Sequence, residues 1–65
     1  MWIKTQGNDL LNTDRMEAIW FDSNVGLTYC SFGNQPDSYL ISEGNAIPAV
    51  INSLRRGDNY LGVNP

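Results

Sequence analysis

Apolar residues come along this chain in short bursts separated by polar, turn-forming clusters, the spacing of small antiparallel strands. Residues 1–5 are dominated by large side chains and end at Gln6-Gly7-Asn8-Asp9. Glycine and asparagine there tolerate the positive φ of a tight turn. Leu10 and Leu11 resume the apolar pattern, Asn12-Thr13-Asp14-Arg15 interrupts it, and residues 16–21 run apolar again. A turn at Asp22-Ser23-Asn24, with Gly26 just beyond, leads into residues 27–32, where Thr28, Tyr29 and Phe32 favour extended backbone. Residues 33–37 read as loop. Tyr39, Leu40 and Ile41 form one more short strand, closed by Ser42-Glu43-Gly44-Asn45.

The period then changes. Ile47, Val50, Ile51 and Leu54 fall at i, i+3, i+4 and i+7 and line one face of a helix. Asn45 suits its N-cap, and Pro48 lies in the first turn, where a missing donor costs little. Arg55-Arg56-Gly57 places cations and a C′ glycine at the other end. Residues 59–63 are again extended in character, and Pro65 closes the tail. The pattern predicts one α+β domain over residues 1–65: an antiparallel meander of four to five short strands, with one C-terminal amphipathic helix packed on one face.

A sheet that receives one helix has a second face. Ala18-Ile19-Trp20-Phe21 is apolar at consecutive positions, and consecutive strand residues point to opposite faces. If Ile19 and Phe21 meet the helix, Trp20 points outward, joined by Trp2, Tyr29, Tyr39 or Tyr60 according to register. These five are the candidate partner-binding residues, because Trp and Tyr are enriched among binding hot spots. Three readings of the patch stand side by side: the far side of a folded-over core, a self-association surface, and a surface for a foreign partner or ligand.

A chain of 65 residues buries only about 60% of the surface its unfolded form exposes, and a core that small supplies roughly 3–5 kcal/mol. Cys30 is the only cysteine, so no internal disulfide reinforces the core. Self-association as a homodimer or larger is the expected support. An apolar fraction of 42% against 17% charged residues belongs to a folding chain, not a disordered one. No basic, apolar leader and no apolar run of ~20 residues is read in the sequence, so a cytoplasmic chain with a free thiol is expected. The net charge is −3, with Lys4, Arg15, Arg55 and Arg56 the only cations. That balance opposes nucleic acid, since neutralising phosphates needs clustered cations.

The chain has no histidine, which removes Ser-His and Cys-His pairs and the ordinary zinc site. No enzyme activity, metal or cofactor is expected. Asp9, Asp14, Glu17, Asp22, Asp37, Glu43 and Asp58 are the acids. Most lie in turns, where Asp bonds its own backbone and stays solvated, and a small meander offers no deep cleft to raise a carboxylate pKa. Asp22-Ser23-Asn24-Val25-Gly26 begins like a calcium loop, but its glycine comes one position early and the distal glutamate is absent. Arg55 and Arg56 match an oxyanion, and with Trp20 they are the ligand-binding candidates for a nucleotide-like molecule; the helix dipole explains their position equally well. Arg56-Gly57-Asp58 spells an adhesive tripeptide that a C-capping glycine accounts for. Cys30 has no cation or helix N-terminus near it in sequence and reads as a small buried hydrophobe.

Met1-Trp2-Ile3-Lys4-Thr5-Gln6, Leu11-Asn12-Thr13-Asp14 and the helix at residues 47–54 together resemble a group of short uncharacterised bacterial and bacteriophage proteins. The resemblance implies a meander followed by a helix and a short terminal strand over most of the chain, and it brings no activity or site residues. A more distant similarity is to sheet-rich response-regulator DNA-binding modules, from which the acidic balance and short length separate this chain. The function expected is a small non-catalytic binding protein of phage or mobile-element origin that occupies a partner protein, as an inhibitor of a host or defence enzyme does. A small-ligand sequestering protein and a weak nucleic-acid-binding module are the alternatives.

Overall fold

The computed structural model describes residues 1–63; Pro65, read as the close of the tail, lies outside the described residues. The first apolar burst forms β1 (Trp2–Lys4) and pairs antiparallel with β2 (Leu10–Asn12). Thr5 ties the turn between them. Its backbone N–H donates to the Asp9 carbonyl at 2.8 Å, its Oγ1 accepts from the Asp9 N–H at 3.0 Å, and Asn8 takes the left-handed φ of 67° that asparagine tolerates.

Residues Thr13–Arg15 then wind into a short 3₁₀ turn, with the Asn12 Oδ1 accepting from the Asp14 N–H at 3.0 Å. The polar interruption read in the sequence is thus a sheet boundary and not a hairpin turn. Beyond it β3 (Met16–Asp22), β4 (Leu27–Phe32) and β5 (Ser38–Glu43) form an antiparallel meander in that order. Helix α1 (Ile47–Arg56) follows, and β6 (Tyr60–Gly62) returns to lie parallel to β1. The class is α+β, with a meander and one helix near the C-terminus. Because β6 adds to β1 and does not extend the meander, the six strands divide into two three-stranded sheets, β2-β1-β6 and β3-β4-β5. Gln6 joins them: its N–H donates to the Ile41 carbonyl at 2.9 Å, and its Oε1 accepts from the Glu43 N–H at 2.7 Å.

Ile3 from the first sheet, Cys30 and Ile41 from the second, and Ala46 and Val50 from the helix end meet in one buried core. A bulge sets the geometry on β5, where Tyr29 pairs with Leu40 but Thr28 pairs with Ser42. The extra residue lets Ile41 and Ser42 both be buried, which strict alternation forbids. Thr28, also buried, makes the joint with the helix. Its Oγ1 donates to the Gly44 carbonyl at 2.7 Å and accepts from the Ala46 N–H at 3.0 Å, satisfying a donor at the helix start that nothing inside the helix reaches.

The helix departs from its sequence reading in two ways. Its cap position is Ala46, while Asn45 lies one residue earlier and its Oδ1 accepts from the Ile47 N–H at 3.0 Å. The buried face consists of Ala46, Val50 and Ser53, whereas Ile51 and Leu54 are 42% and 52% exposed. At about 100° per residue, the helix is turned roughly a quarter of a revolution from the stripe that Ile47, Val50, Ile51 and Leu54 define. The bond from the Ala46 N–H to Thr28 fastens this end of the helix to the meander. The C-terminus follows the sequence: Gly57 at φ 74° donates to the Leu54 carbonyl and Asp58 donates to the Ser53 carbonyl, the paired bonds of a Schellman end.

Candidate binding face

Pairing in the meander decides which side chains share a face. Ile19, Cys30 and Tyr39 lie opposite one another across the three strands, and Cys30 fixes that face as the inner one because it is buried in the core. Trp20, Tyr29 and Leu40 form the next row and point outward. Trp20 and Tyr29 stack with ring centroids 6.0 Å apart and planes 28° from parallel, within the range of favourable aromatic pairs. Trp20 is 37% and Leu40 46% exposed. An apolar row thus crosses the middle of the sheet with solvent over it.

The rows on either side differ. Toward one end Asp22, Leu27 and Glu43 lie opposite one another; toward the other stand Ala18, Ser31 and Ser38. Asp22 uses one carboxylate oxygen to accept from the Asn24 N–H at 2.9 Å in the β3–β4 turn. The side chain of Glu43 has no ion-pair partner among the described residues.

The other sequence candidates are placed elsewhere. Trp2 and Tyr60 are register partners on the outer face of the first sheet and about half exposed. Tyr60 lies over Gly62, where a Cβ would meet the phenol oxygen at 3.3 Å. Tyr39 is on the inner face of the meander, packed edge-on against Phe32 at 5.4 Å, with its hydroxyl donating to the Gln35 Oε1. The five aromatics therefore make one outward pair on each sheet, plus one half-buried ring. Arg56 is held by Asp58 at 2.8 Å and by the Ser53 Oγ at 3.3 Å. Among the described residues, an open cleft of about 550 Å³ lies beside Arg15, Phe32, Gln35 and Tyr39 and a smaller one of about 200 Å³ between Ile19, Val50 and Leu54; Trp20, Arg55 and Arg56 line neither.

Burial pushes the Cys30 thiol above its ordinary value of 9.0, so thiolate is scarce at neutral pH and the sulfur has neither access nor charge for nucleophilic work. Among the described residues, no three Cys, Asp or Glu side chains converge as a metal site, and no helix is long and apolar enough to cross a membrane. No protein-family model, curated protein or solved structure matches the chain.

Sequence reasoning named Trp20 and Tyr29 but not Leu40, the third member of the row. Tyr39, Leu40 and Ile41 are all large, and only the pairing of β5 with β4 tells which of them faces solvent.

Proposed function

We propose that the chain is a small non-catalytic binding module that occupies a partner protein with the outer face of its meander. One observation carries this reading: the outward row Trp20–Tyr29–Leu40, which spans all three strands at the centre of the face with Trp20 and Leu40 exposed and Tyr29 half-buried between them. The row has the composition and central position of a hot spot, flanked by Asp22, Leu27 and Glu43 on one side and by Ala18, Ser31 and Ser38 on the other. Strands that hold it rigidly lose little entropy on binding. Occupying a partner in this way is sufficient to inhibit it by blocking its own contacts. The missing histidine and the inaccessible Cys30 thiol leave the face as the best-equipped functional feature.

A photo-crosslinking amino acid at Leu40, compared with one at Asn52 on the solvent side of the helix, tests the reading in cells that make the protein. A discrete protein adduct is expected from position 40 and not from position 52. Trp20→Ala should abolish that adduct, because loss of a hot-spot tryptophan costs about 2 kcal/mol or more of binding, while the variant keeps a native far-UV spectrum and cooperative melting. Equal adducts from both positions would refute it.

A further inference from the structure

The four cations are Lys4, Arg15, Arg55 and Arg56, so residues 16–46, which include the whole meander, contain no lysine or arginine. The same stretch holds Glu17, Asp22, Asp37 and Glu43. Of these, Asp22 and Glu43 sit on the outer face in the row beside Trp20, Tyr29 and Leu40. Residues two apart on a strand stand about 6.6 Å from one another, so a guanidinium or ammonium group lying over the Trp20 ring is also within reach of Asp22. Aromatic faces attract cations within about 6 Å, and a planar guanidinium both stacks on a ring and forks to a carboxylate. Two of the cations are placed away from this face. Arg15 borders the cleft formed by the inner-face rings Phe32 and Tyr39, and Arg56 is paired with Asp58.

We infer that the occupant of this face is a basic protein segment whose Arg or Lys side chains lie on Trp20 and Tyr29 and pair with Asp22 and Glu43. The inference rests on the reading that the face binds a protein, and it adds the chemistry of that protein. A second copy of the chain does not meet the requirement. Face to face, two copies bring no cation from either meander.

The test is selection of a random twelve-residue peptide library on the full chain, with counter-selection on Trp20→Ala. Both are first checked for native far-UV spectra and cooperative melting. Peptides rich in Arg or Lys, binding about fivefold or more weaker to the Asp22→Asn, Glu43→Gln double variant and weakening as salt rises, are expected. Trp20-dependent peptides without basic residues, or with affinity unchanged by the double variant, would overturn the charge assignment and leave the binding face standing. Absence of Trp20-dependent peptides, or dimerisation of the wild type that Trp20→Ala abolishes in sedimentation, would overturn both.

Discussion

Two buried hydroxyls show how differently a polar side chain fares in so small a core. The Thr28 hydroxyl is spent twice, on the Gly44 carbonyl and on the Ala46 N–H; the Ser42 Oγ, one strand over, is buried with no hydrogen-bond partner among the described residues. Orphaning a buried donor or acceptor costs about 1–3 kcal/mol, whereas removing a group that was never paired costs nothing. Thr28→Val keeps the shape but strands two backbone groups, and it should lower stability by about 2–4 kcal/mol. Ser42→Ala should be neutral or stabilising by up to about 1 kcal/mol. Urea denaturation of the two variants beside the wild type measures both, and the opposite order would refute this account of the strand–helix joint. Neither role was legible in the sequence, where Thr28 signalled only a preference for extended backbone.

At the scale of elements, the helix shows what periodicity does and does not specify. Its span, Pro48 in the first turn and its glycine stop were all readable, because each is fixed by backbone chemistry within a few residues. Its rotation was not. The stripe of large apolar residues pointed one way, and contact with the sheet at Ala46, Val50 and Ser53 chose another, leaving Ile51 and Leu54 substantially exposed. The glycine stop has a measurable consequence. Gly57 sits at φ 74°, and a Cβ there would meet nothing within 4 Å among the described residues, so Gly57→Ala has a conformational cost alone, about 1–2 kcal/mol. Gly57→Asn should cost less, since asparagine visits this region. Thermal melting of the pair checks the order; equal losses would point to a packing role for the glycine.

For the whole molecule, the radius of gyration of 10.9 Å agrees with the ~10.7 Å expected of a folded chain of this length. Its fully or nearly buried apolar set is Ile3, Cys30, Ile41, Ala46 and Val50. A core of that size is thin, and Trp2, Leu10, Ile51, Leu54 and Tyr60 leave apolar surface open away from the meander face. Self-association through that surface remains the expected source of added stability, and it makes the melting temperature depend on protein concentration. Calorimetry over a roughly hundredfold concentration range should show a rising midpoint; a constant midpoint with a monomeric sedimentation profile would establish that one chain stands alone.

The sequence by itself determined where the short strands lie, the glycine stop of the helix, the scarcity of catalytic groups and the absence of cations from residues 16–46, because turn chemistry, period and charge are local or additive properties. Tertiary structure decided the division into two sheets, the rotation of the helix and the company Trp20 keeps. Each depends on which strands pair and in what register, and a one-residue slip or bulge, as at Ile41, exchanges inside for outside. Leu40 faces solvent and Tyr39 the core for that reason alone: the register of β5 against β4.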